Sequence, residues 1–143
     1  GEVLVMPVLD DGRLGPVEQR MTLPGEPGPH RTEQPFSKPH FNPFDPSGRF
    51  VVVPDKGLDR IFVFRIEGGR LVPAERPFVQ TRGGAGPRHV AFDPGGRWLY
   101  AVNELDSSVT VYAFNRDTGA LVAAAVARHL HGQQPRGGDR SLP

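Results

Sequence analysis

An all-β fold is predicted, a β-propeller fragment of about three four-stranded blades. Three features of the sequence point to it. A phrase of the chain recurs at blade length. Glycine (18) and proline (16) are abundant, which suits short strands and many turns. Apolar residues alternate at period two in several stretches, and few stretches carry a helical period.

The recurring phrase is Asp-Pro-small-Gly-Arg-aromatic, found in "KPHFNPFDPSGRFVVVPDK" and again in "GPRHVAFDPGGRWLYAVNE". Aligning Asp45 with Asp93 gives a period of 93 − 45 = 48 residues. Propeller blades repeat at about 40–50 residues. Under that offset Phe50 falls on Trp98, Val52 on Tyr100, Val63 on Val111 and Phe64 on Tyr112. The N-terminal "EVLVMPVLDDGRLGPV" matches "RIFVFRIEGGRLVPA", so a third copy is expected to begin before residue 1.

The elements follow in order. Residues 1–20 read as the outer strands of one blade. Residues 21–39 carry five prolines and read as a long rim loop, a type of segment that is usually functional or mobile. Residues 40–87 and 88–127 read as two successive blades. In the second, strands are expected at 88–93, 97–104, 108–114 and about 121–127. Its "DPGG" turn has proline to preset φ and glycine to take the left-handed position. Two blades and part of a third leave strand edges unpaired and apolar faces wet, so the chain reads as a piece of a larger ring.

Composition bounds the function. The net charge of +1 comes without a basic block, so neither nucleic acid nor an anionic membrane is an expected partner. No cysteine is present, which removes thiolate metal sites and a cysteine nucleophile. The longest apolar run, "ALVAAAVA", is far short of the roughly 20 residues a spanning helix needs. The N-terminus shows no signal-peptide pattern, and a cytoplasmic location is expected. The oligomeric state is left open.

The polar residues at the two ends of the repeated phrase differ between copies. Antiparallel partners sum to a constant, so a turn centred near residue 95 pairs 88 with about 102 and 86 with about 104. Arg88 and Glu104 therefore share one end of their blade. Subtracting the period gives His40 and Lys56 at the same end of the neighbouring blade. An arginine can hold a developing oxyanion, and a carboxylate or histidine can activate water. The plainer reading, a salt bridge at strand ends, stays open beside it.

"PHFNPFDPSGRFVVVPDKGLDRIFVFR" and "GAGPRHVAFDPGGRWLYAVNELDSSVTVYAFNRDTGAL" resemble the seven-bladed propeller lactonases, a family that includes the propeller-type bacterial 6-phosphogluconolactonases. The resemblance covers about residues 1–127. It implies a ring of seven blades and hydrolysis of a sugar lactone without metal or cofactor. It also implies His40, Arg88 and Glu104 as the catalytic set, with Glu104 or His40 activating water and Arg88 stabilising the oxyanion. Lys38 stands where members of the family often carry a second histidine; with Lys56 it is a candidate contact for an anionic substrate. The rival is a non-catalytic scaffold like the surface-layer repeats, which "GRWLYAVNELDSSVTVYAF" also resembles. Those repeats are uniform, whereas the edge residues here vary, which favours a specific pocket.

Other polar residues receive structural readings. Asp55, Asp59 and Asp106 are expected to satisfy turn amides rather than bind ions. His89 is expected on the strand face opposite Arg88. Residues 128–143 fit neither repeat nor family, and a frameshift near Ala127 or Arg128 is the expected origin. His129 and His131 in that tail lack a third ligand, so no metal is assigned to them.

Overall fold

A computed structural model describes residues 1–128. His129, His131 and the proposed frameshifted tail, apart from Arg128, lie outside the described residues. Among the described residues all regular structure is antiparallel β. The strands are β1 (Glu2–Val5), β2 (Gln19–Thr22), β3 (Phe50–Asp55), β4 (Arg60–Glu67), β5 (Arg70–Gln80), β6 (Pro87–Phe92), β7 (Trp98–Asn103), β8 (Ser108–Phe114) and β9 (Leu121–Arg128). They form three meanders, β1-β2, β3-β4-β5 and β6-β7-β8-β9. The second whole blade matches the expected strands to within a residue or so. The first outer pair runs on to Thr22 rather than ending at residue 20.

The turn phrase recurs because its aspartate works locally. Asp93 accepts the N–H groups of Gly95, Arg97 and Trp98, and Gly96 turns the chain at φ +62°. Asp45 accepts from Ser47 and Phe50 in the same way, with the Ser47 hydroxyl added at 2.6 Å. Burial opposes the charge on Asp45, yet the hydroxyl and amide donors outweigh it and hold its carboxyl below the usual range.

The inner strand of the first blade departs from the second. Residues 39–44 form no continuous strand and meet β3 through the isolated bridges Pro39↔Asp55 and Phe44↔Val51 and the bond from His40 N–H to the Pro54 carbonyl at 3.0 Å. Pro43 accepts from Val52 N–H at 3.0 Å and has no N–H to return. In the second copy Ala91 takes that place and the ladder runs unbroken from His89 to Phe92.

The three sheets stack face to face. Val3 and Leu23 pack on Val51, Val53, Phe62 and Phe64, joining the first sheet to the second. Phe50, Val52, Ile61 and Val63 pack on Val90, Leu99, Tyr112 and Phe114, joining the second to the third. Alternate residues of β3 thus serve different neighbours, which is why its whole sequence is buried. This is how propeller blades bury both faces without a second layer.

Replacing Asp45 by alanine should cost about 1–3 kcal/mol, because buried amides are left without an acceptor. Asp93→Ala should cost less, since its turn is more exposed; urea denaturation of both variants gives the comparison.

Candidate functional site

The site is built at the end of the blades opposite the Asp-Pro turns. Two buried aspartates fix its backbone. Asp55, at the end of β3, accepts from the N–H groups of Lys38, Gly57 and Leu58 at 2.8, 2.9 and 3.0 Å, and from Ser37 Oγ at 2.5 Å. That draws the proline-rich segment onto its own turn just before His40. The approach is close enough to require glycine at 57, where a Cβ would lie 1.8 Å from the Phe36 carbonyl oxygen. Asp59 accepts from Gly84 and Gly86 N–H, both at 2.7 Å, and so fixes the segment just before Arg88. Asp106 accepts from the Ser108 amide and hydroxyl and pairs with Arg82. All three aspartates satisfy turn or loop donors, as the sequence suggested.

The repeat also holds at the level of backbone conformation. Asp59 and Ser107, one period apart, share a left-handed φ of 53°. Lys56 N–H donates to Lys38 C=O as Glu104 N–H donates to Gly86 C=O. The two blade ends are therefore superimposable turns carrying different side chains.

Those side chains meet. Arg88 Nε donates to His40 Nε2 at 3.0 Å, and Arg88 Nη1 lies 3.1 Å from Glu104 Oε2. Lys56 Nζ donates to Glu104 Oε1 at 2.7 Å. The four residues placed together by the repeat form one connected cluster spanning two blades.

The register keeps the expected sum at Pro87 and is shifted by one residue from His89 to Phe92. Pro87 pairs with Asn103 and His89 with Val102, so Arg88 is the extra residue of a β-bulge. A bulge re-aims side chains, and it corrects the expectation for His89. Instead of facing away, the His89 ring stands edge-on to the His40 ring, with centroids 5.2 Å apart.

Lys38 and Lys56 are placed differently from each other. Lys56 is buried, and its ammonium is shared between Glu104 and Glu33, the latter at 2.9 Å. Lys38 is half-buried; its Nζ donates to the Glu33 carbonyl at 2.9 Å and lies 5.2 Å from the Phe36 ring centroid. Glu33 is the member that sequence reasoning missed. It comes from the proline-rich segment, which Gln34 docks by donating to the Lys56 carbonyl at 2.8 Å. No period or motif marks it, because the contact exists only after that segment folds back.

The charges divide into two kinds. Lys56 holds the Glu104 carboxyl below the ordinary glutamate range by hydrogen bonding and charge, against the opposing effect of burial, with Arg88 assisting. Glu33 is likewise lowered, first by its hydrogen bond from Lys56. Lys56 is raised by both partners, Glu104 first. His40 is pushed below its ordinary value by burial and by the nearby Arg88 and His89. A donated guanidinium hydrogen bond also requires a lone pair on Nε2, so His40 is the neutral imidazole with its proton on Nδ1. Among the described residues no group of acidic or imidazole side chains is arranged to hold a metal ion.

Face-to-face antiparallel blades with charged side chains gathered at one end define a β-propeller with a polar site built between blades. The chain belongs to the lactonase family described as seven-bladed β-propellers, whose model matches residues 1–139. The match runs past residue 127, where the resemblance in the sequence was drawn. The 6-phosphogluconolactonase of Bacillus subtilis is 34% identical over 120 residues, covering 83% of this chain and 33% of that protein. The 6-phosphogluconolactonase of Erwinia tasmaniensis is 42% identical over 96 residues, covering 66% of this chain and 28% of that protein. The structure of the periplasmic gluconolactonase PpgL of Pseudomonas aeruginosa superposes with a TM-score of 0.77 at 33% identity, over 94% of this chain and 37% of the other. The chain thus spans about a third of the length of the relatives it matches. No helix among the described residues is long and apolar enough to cross a membrane.

Because both glutamates sit below their ordinary value of 4.5, their pairing with Lys56 contributes fully above that pH and is lost as pH falls through the lowered values. Lys56→Met should remove most of this acid dependence, leaving the smaller part due to Arg88 and Lys38. It should also cost on the order of 1–3 kcal/mol at neutral pH, between the surface and buried ranges for ion pairs. Urea midpoints measured from pH 3 to 7 in both proteins test this.

Proposed function

We propose that this site hydrolyses a sugar lactone, with 6-phosphogluconolactone as the substrate, in a cytoplasmic setting. The observation that carries the reading is the hydrogen bond from Arg88 to His40 across two blades, at 3.0 Å. It joins a neutral imidazole to a fixed cation, the two groups that water attack on an ester carbonyl requires. The named relatives support the substrate class, two as 6-phosphogluconolactonases and one as a periplasmic gluconolactonase.

Of the two candidate bases, His40 takes the role. Glu104 is held by Lys56 and Arg88 and its lowered pKa makes it a poor proton acceptor. His40 is neutral near pH 7 and surrenders a proton readily, since partial desolvation, then Arg88 and His89, disfavour its charged form. In the reaction, lactone binding draws the Arg88 guanidinium from Nε2 toward the carbonyl oxygen. His40 Nε2 takes a proton from water as the water oxygen bonds to the carbonyl carbon. Arg88 holds the resulting tetrahedral oxyanion. Collapse breaks the ring C–O bond, and the imidazolium returns its proton to the departing ring oxygen. The product hydroxy acid loses its carboxyl proton to solvent.

Glu104 keeps Arg88 oriented, and Lys56 keeps Glu104 in place. Lys56 therefore serves the site through Glu104, since both of its carboxylate partners compete with any substrate anion. Lys38, whose ammonium meets a carbonyl oxygen and an aromatic face rather than a carboxylate, is the lysine left to attract a phosphorylated lactone.

Three results are expected from a lactone-hydrolysis assay. Arg88→Ala should lower kcat by about 10²–10³, the usual loss on removing an oxyanion donor. The acid limb of kcat/KM should fall below the ordinary histidine value of 6.5, because His40 is active when unprotonated and its pKa is lowered. A chelator should leave the rate unchanged. Full activity in the Arg88→Ala protein would count against the assignment.

A further inference from the structure

One charged side chain in the cluster has no part in the reaction as drawn. Glu33 Oε2 lies 2.9 Å from Lys56 Nζ, on the other side of the ammonium from Glu104 Oε1 at 2.7 Å. The Lys56 side chain is 10% exposed, so water offers it little alternative to these two carboxylates. The backbone of Glu33 is held without the help of its carboxylate. Its carbonyl accepts from Lys38 Nζ, its N–H donates to His30 Nδ1 at 3.2 Å, and the adjoining Gln34 is buried against the Lys56 carbonyl. Anchored in this way, the segment could have ended in any polar residue at position 33. A carboxylate there divides the pull of Lys56 between two anions.

That division matters for Arg88. A lysine with one carboxylate partner draws it fully, and Glu104 would turn toward Lys56 at the expense of Arg88. With Glu33 taking part of the ammonium, Glu104 keeps one oxygen on Lys56 and the other on Arg88. We propose that Glu33 is a positioning residue for the hydrolytic site, acting on Glu104 through Lys56. This rests on the lactonase reading for its catalytic consequence, while the coupling itself stands on the geometry alone.

The charged groups that face Glu33 are Lys56, Lys38 and His30. Those that face Glu104 are Lys56, Arg88 and Glu33, with His40 close by. Glu33 is the one anion acting on Glu104 from this set, so neutralising it should lower the Glu104 pKa further.

The test uses the full chain with Glu33→Gln, Glu33→Asp and Gln34→Ala, and follows the Glu104 side-chain carboxyl by carbon-13 NMR titration beside lactone hydrolysis. In Glu33→Gln the Glu104 midpoint should move to lower pH, and kcat should fall about tenfold with KM little changed, as for a misoriented catalytic group. Glu33→Asp, which keeps the charge at a shorter reach, should lie between this variant and the parent. Gln34→Ala frees the segment that carries Glu33, so stability should drop and the Glu104 midpoint should move in the same direction as in Glu33→Gln. An unmoved midpoint in Glu33→Gln overturns the proposal, and so does a kcat in Glu33→Gln equal to that of a parent protein that hydrolyses the lactone. A parent protein that hydrolyses no lactone overturns the functional reading instead, and the Glu104 titration then decides the coupling by itself.

Discussion

A carboxylate taken out of water must replace its hydration, and Asp55 and Asp59 do so with backbone amides from outside their own strand. Both belong to the tight turn between β3 and β4. Asp55 reaches back to the segment before His40, and Asp59 reaches forward to the segment before Arg88. One turn in one blade therefore positions a residue from its own inner edge and another from the next blade. The hydrogen bond between His40 and Arg88 is a consequence of those two anchors. If either anchor were lost, a buried carboxylate would be stranded and one half of the site would drift.

The electrostatic logic follows from what those anchors bring together. Five charged or titratable side chains crowd one end of the stack, yet every short contact joins complementary groups. The chain of contacts runs Glu33, Lys56, Glu104, Arg88, His40. Charge alternates along it until it ends on a neutral ring. Lys56 in the chain of contacts is buried, whereas Glu33, Glu104, Arg88 and His40 all keep access to solvent. A substrate arriving from solvent can reach Arg88 and His40, with the buried lysine holding Glu104 beside them.

Much of this could be read in the sequence, for physical reasons that can be named. The Asp-Pro turn uses only local hydrogen bonds, so its phrase repeats and reveals the period. Antiparallel pairing is additive in residue number, so Arg88, Glu104, His40 and Lys56 could be assigned to a common end before any coordinates. What escaped was whatever depends on tertiary detail. The bulge at Arg88 inserts one unpaired residue and brings His89 toward His40, and nothing in "GPRHVAF" announces it. Pro43 breaks the inner ladder of the first blade, an effect of a missing N–H that the repeat alignment passes over. Glu33 enters through the docking of Gln34, a long-range contact with no sequence period.

The account turns on two side chains from adjacent blades sharing a single hydrogen bond, and nitrogen-15 NMR of the His40 ring reports on it directly. At pH 7 the account requires a neutral imidazole with its proton on Nδ1 and an accepting Nε2, a tautomer preference that disappears when Arg88 is replaced. A charged ring at that pH, or a proton resident on Nε2, would mean that the guanidinium does not point where the chemistry needs it.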